Sequence, residues 1–121
     1  MVFGLALLFL LGGTTRSAHD TAMLRTEVAQ VCAAPPPADL KALSPLPRRV
    51  QDAAAAVAIA LPVFEKLYGH QNIDQARPYK AESIDEVWFV SGTLSVGAKG
   101  GTAVAVIDRK TGQIRCLTHE K

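Results

Sequence analysis

Few side chains in this chain could do chemistry on a substrate, and their spacing argues against most reactions. Ser91 lies in "FVSGT" and lacks the first glycine of Gly-x-Ser-x-Gly, the pattern that sets a nucleophilic serine on a strained turn. The stretch "GTLSVGAKGG" is rich in glycine, but Ala98 separates Gly97 from Lys99 and Gly100 follows. A phosphate-cradling loop needs Gly-Lys-Ser/Thr, so the stretch reads as a flexible hairpin. His19, His70 and His119 are scattered along the chain, without the local pairs of His or Cys that mark zinc sites. Surface histidine is the plainer reading of each, and a general base would need a partner within hydrogen-bond reach. The adjacent carboxylates Asp85 and Glu86 would point to opposite faces of a strand, so they read as a turn. No metal site, cofactor motif or catalytic residue emerges.

The bulk composition narrows the field further. The chain has 121 residues, 49% hydrophobic and 20% charged, with a formal charge of +2, which suits one small domain. Arg48-Arg49 and Arg109-Lys110 are isolated basic pairs, too short for a nucleic-acid track. From Val2 to Leu11 the run "VFGLALLFLL" is unbroken apolar sequence, the length of a signal-peptide core and short of a bilayer span. Small residues at Thr15, Ser17 and Ala18 offer a cut after Ser17 or Ala18. Residues 1–18 are therefore expected to be a signal peptide and the product periplasmic, touching membrane only through that signal. Two features depart from the usual leader: no Lys or Arg precedes the apolar run, and Arg16 sits close to the cut.

Cys32 and Cys116 remain after cleavage. An even count in an oxidising compartment permits one disulfide, which would tie the N-terminal segment to the last strand. Two buried free thiols are the alternative.

The elements that must carry these residues follow from pattern. Asp20 is placed to cap a short helix in which Leu24, Val28 and Val31 recur at helical spacing. Prolines then mark 33–47, "APPPADLKALSPLP", as a connector, so 19–47 reads as short helix plus connector. The domain proper is 48–121. Its main helix is expected from near Arg48, with Val50, Ala54, Val57, Leu61, Phe64 and Tyr68 on the stripe that meets a sheet. Ile59, Val63 and Leu67 form a second stripe, Pro62 should kink or restart the helix, and Gly69 should end it. "YKAESI", "VWFVSGTL", "TAVAVID" and "QIRCLTH" read as four strands joined by Asp85-Glu86, "GAKGG" and "DRKTG". In the third joint Gly112 can take the positive φ of a bulged hairpin. The fold class is α+β, one long helix packed on an antiparallel meander of about four strands. Val87 and Phe89 oppose Trp88, Val90 and Leu94, so both sheet faces are partly apolar. That implies a cover or partner on the second face, or a curved sheet packing on itself.

From Ala58 to Lys121 the order of features resembles the bacterial nuclear-transport-factor-2-fold immunity proteins of polymorphic toxin systems. These features are a helix ending in Tyr68-Gly69, then Ile73, "RPYKA", Trp88 with "SGTL", "GGT", "IDRKTG" and "THEK". The resemblance implies a reduced form of that cone-shaped fold, which in full has further helices. It also implies a protein that binds and neutralises a cognate toxin and catalyses nothing.

Interface anchors are commonly aromatic residues or arginine, so Arg77, Tyr79 and His119 are the candidate partner-binding rim. In the alternative, Tyr79 packs in the core beside Trp88. Two other functions stand beside the first. One is a periplasmic regulatory module that inhibits a peptidase. The other is a small-ligand or isomerase-like pocket, disfavoured because Val90, Leu94, Val104 and Val106, taken as inward-facing, offer no polar group. The oligomeric state and the toxin's chemistry stay open.

Overall fold

The computed structural model describes residues 16–94 and 100–120. The apolar run at 2–11, most of the expected leader 1–18, the heart of the second joint at 95–99 and Lys121 lie outside the described residues. Four strands, β1 (Lys80–Ile84), β2 (Val87–Ser91), β3 (Ala103–Asp108) and β4 (Ile114–His119), form one antiparallel sheet in the order β1-β2-β3-β4. Helix α1 (Ala18–Ala33) covers one face and α3 (Ala53–Tyr68) the other, with the short helices α2 (Leu40–Leu43) and α4 (His70–Gln75) in the connections. The architecture is α+β, as the residue pattern implies. In place of one dominant helix, α1 and α3 have 16 residues each. Among the described residues no helix is long and apolar enough to cross a membrane.

Helix α3 begins later than its apolar pattern suggests. Asp52 is the N-cap, its carboxylate accepting from Ala55 N–H at 2.8 Å, which satisfies one of the orphan donors of the first turn. Residues 48–50 instead run against the third hairpin, where Arg48 N–H donates to the Thr111 carbonyl and Val50 N–H to the Arg109 carbonyl, both at 2.9 Å. The buried side of α3 is Ala56, Ile59, Ala60, Val63 and Phe64, not the stripe expected through Val57 and Leu61. The run is apolar around most of its circumference, so periodicity alone had no polar face with which to orient it. Pro62 leaves the helix unbroken. Pro62 and Ala58, whose carbonyl loses its donor to the proline, both lie on the exposed side of the helix.

On the α3 face, Val90, Ala103, Ala105, Ile107, Ile114 and Leu117 join the buried helix residues in one core, and Trp88 Nε1–H donates to the Val50 carbonyl at 3.0 Å. Ile84, Val87, Phe89, Val104 and Val106 line the α1 face under Leu24, Val28 and Val31. Val90 and Val104 therefore face opposite ways, and Leu94, beyond the end of β2, is 47% exposed; the four residues taken as one inward set are split. The cover required on the second face is α1 itself. It is held by a Cys32–Cys116 disulfide with Cα atoms 5.0 Å apart, by Arg25 against Asp85 at 3.0 Å and 3.1 Å, and by Arg16 against Ser83 and Glu82. Ser17 caps α1 by accepting from Asp20 N–H, so a cut after Ser17 or Ala18 would remove this cap and the Arg16 contacts.

The joints follow their turn chemistry. Asp85, at φ +52°, and Glu86 link β1 to β2, and Gly69 and Gly112 take φ of +90° and +75°. In "IDRKTG" the Asp108 carboxylate accepts from Lys110 N–H at 2.8 Å and Thr111 N–H at 3.0 Å and also receives the Arg115 guanidinium. Asp108 thus both folds the turn and ties it to β4, and its carboxyl sits below the usual carboxylate range, chiefly because Arg115 donates to it.

Candidate functional site

At one end of the sheet Lys80, Ser91, Val104 and Thr118 fall opposite one another across the four strands. The last turn of α3 reaches this end. Phe64 and Tyr68 stand one helical turn apart and so share a face. Phe64 packs on Tyr79 with ring centres 5.7 Å apart, and Tyr68 meets His119 edge-on at 5.2 Å. A line of aromatic rings, Tyr79, Phe64, Tyr68 and His119, thus joins the start of β1 to the end of β4.

Two glycines let the backbone close around this line. A Cβ on Gly92 would lie 2.9 Å from both the Ala76 carbonyl and the Tyr79 ring, and one on Gly101 would lie 2.5 Å from the Glu120 Cβ. No larger residue fits either place without moving its neighbours. Thr93 secures the same joint, its N–H donating to the Ala76 carbonyl and its hydroxyl to the Pro78 carbonyl, each at 2.7 Å. Buried Thr102 accepts from Gly92 N–H at 3.0 Å. The "RPY", "SGTL" and "GGT" stretches are therefore mutually dependent pieces of one corner.

The three residues proposed for the rim separate in the structure. Arg77, exposed and following α4, donates to Asp74 at 2.8 Å, and the Arg77–Pro78 peptide is cis. His119 is exposed on the opposite edge of the sheet, and its Nδ1 lies 2.9 Å from the Glu120 carbonyl. A carbonyl only accepts, so Nδ1 carries the proton and Nε2 is left to face outward. Tyr79 is not part of an exposed rim. Its ring joins the α3-side core that also holds Trp88, and its hydroxyl oxygen is buried without a hydrogen-bond partner among the described residues. Burial pushes the Tyr79 and Tyr68 phenols up.

Sequence reading missed Tyr68, Glu65 and His70 as members of this end. Tyr68 connects the two sides, and His70 Nδ1 sits against the Glu65 carboxylate one turn away. The signal for Tyr68 was an aromatic pair four residues apart immediately before a helix-ending glycine. Glu120, packed on Gly101, has its carboxyl raised by burial and then by the neighbouring Glu27 charge. Among the described residues no three His, Cys, Asp or Glu side chains gather as a metal site would need.

The end so described lies wholly inside the span matched by a model of the NTF2 fold immunity proteins, which covers residues 55–121, more than half of the chain. The chain belongs to that family. No curated protein and no solved structure matches it. The matched span of this immunity protein starts near the beginning of α3 and takes in the whole sheet. Helix α1, Cys32 and the proline connector fall outside it.

Proposed function

We propose that this protein neutralises a cognate toxin by binding it, without catalysis, and does so in the periplasm after export. The observation that carries the reading is the family match over residues 55–121. Export is supported by the apolar run at 2–11 and by a disulfide whose persistence suits an oxidising compartment. A toxin met there would act on the envelope or in the periplasm.

The recognition surface in this proposal is the aromatic end, with Tyr68, Arg77 and His119 touching the partner and Tyr79 holding the surface from beneath. Aromatic and arginine side chains around a rigid centre are the usual anchors of tight interfaces. The test is affinity purification of the protein from its native host, tagged at the C-terminus, with mass spectrometry of the co-purifying chains. One stoichiometric partner bearing a toxic domain is expected, and the triple replacement of Tyr68, Arg77 and His119 by alanine is expected to weaken its binding at least about tenfold. Recovery of the protein alone while that partner is expressed would overturn the reading.

A further inference from the structure

We propose that the free edge of β1 pairs with the β1 edge of a second copy, in one register, to make a continuous eight-stranded sheet. The two edges of the sheet differ in how they are guarded. At β4 the outward N–H of Ile114 donates to Ser44 Oγ at 3.0 Å, and the connector with α2 lies alongside. At β1 no strand or connector of the described chain covers the edge.

Which β1 groups face outward follows from the ladder. Arg109 N–H donates to the Glu86 carbonyl at 2.9 Å, and bonded and non-bonded pairs alternate along antiparallel strands. Glu86, Trp88 and Val90 therefore bond to β3, and Val87, Phe89 and Ser91 bond to β1 through Ile84, Glu82 and Lys80. Ala81 and Ser83 turn their N–H and C=O away from the sheet. An independent contact agrees, since the Arg16 guanidinium reaches the Ser83 carbonyl from that side at 3.0 Å.

Charge then selects the register. Lys80 and Glu82 share the α1 side of β1 with Ile84, and Ala81 between them faces the other way. A two-fold axis at Glu82 would set glutamate against glutamate, one at Lys80 lysine against lysine, one at Ile84 Glu82 against Glu86, and one at Ser83 the Glu82 carboxylate against the apolar Ile84. An axis at Ala81 places Lys80 of each copy opposite Glu82 of the other, with two unlike pairs on one face. The same axis makes the two Ala81 residues exchange N–H···O=C bonds, and a methyl group at the axis offers no clash. Within β1 this axis pairs only Lys80, Ala81 and Glu82 of each copy, which buries little surface, so the dimer is a weak one. Arg16 holds the Glu82 carboxylate at 3.5 Å and the Ser83 carbonyl and so competes with the pairing until a cut after Ser17 or Ala18 removes it.

Sedimentation equilibrium of the purified, disulfide-bonded protein from about 10 μM to about 1 mM at low salt reads this directly. A reversible dimer is expected. Lys80→Glu or Glu82→Lys should each weaken it about tenfold, and the double exchange should restore it, because the two unlike pairs are re-formed with signs reversed. Ala81→Pro should abolish the dimer with an unchanged melting temperature, since it removes a donor that the monomer's sheet does not use. A monomer throughout the range, or a dimer indifferent to these changes, overturns the proposal. So does a protein that is monomeric alone and loses toxin binding on Ala81→Pro, which would give the edge to a strand of the toxin.

Discussion

The face of the sheet under α3 and the face under α1 are both lined by buried aliphatic side chains, yet the two helices hold to them by different means. Helix α3 buries five residues, including Phe64 at 0% exposure, and its end is locked into the sheet by aromatic contacts. Helix α1 buries Leu24 and Val31, with Val28 half-buried. It therefore depends chiefly on a covalent bridge at its C-terminal end, with the exposed Arg25–Asp85 pair adding little. A helix can seal a hydrophobic face with few apolar side chains when something else removes the freedom to leave. The family match at residues 55–121 takes in most of the α3-side core but not Leu40 and Val50, which are buried in it, and it leaves α1 outside.

The contrast breaks most visibly at Phe64. Replacing it by alanine should cost about 3–5 kcal/mol, read as a shift in the urea midpoint, and should loosen both helices together because the whole fold is lost. Replacing Cys32 by serine, or reducing the bridge, should cost about 2–4 kcal/mol. Here hydrogen exchange is expected to speed across α1 while α3 and the sheet keep their protection. Equal loss across both helices would show that the two faces are one cooperative unit.

A smaller effect sharpens the account of the third hairpin. Asp108→Asn should lower stability by about 1–2 kcal/mol and flatten the acid limb of the stability profile. The sign follows from its depressed carboxyl: the folded state holds the charged form, so its contribution is complete above the ordinary value of about 3.9 and is lost as pH falls through the lower folded value. Urea midpoints of wild type and variant should therefore converge in strong acid. The smallest change expected is that of Arg25→Ala, whose pair with Asp85 is more than half exposed on both sides. Salt should screen it, and thermal melts should not resolve it.

The order of helix, four strands and their joints was legible because turn residues mark each boundary and the strands are short β-branched runs. Leu24, Val28 and Val31 were legible as one stripe because they are nearly all the large aliphatic residues of α1, where the other positions are mostly polar or alanine. In α3 the abundance of alanine and aliphatic residues erased the polar face, and the buried side lies between the two expected stripes, taking Phe64 from the first and Ile59 and Val63 from the second. The start of α3 was missed because Val50 continues the apolar spacing while its N–H is already spent on the hairpin. Of the site, Arg77 and His119 are exposed where a partner could reach them. Tyr79 shows the limit of residue type as a guide, since an aromatic that could serve as an anchor is equally suited to the core. What sequence could not carry was the closure across space, in which Tyr68 reaches His119 and Glu120 lies on Gly101.

The Cys32–Cys116 bridge makes residues 32 to 116 a closed ring of chain. A single protease cut within that ring, for instance at Leu46, which is 86% exposed in the connector, opens the ring without releasing a fragment. The nicked molecule remains one covalent species with α1 still tethered to β4, and only a cut combined with reduction sets the pieces free.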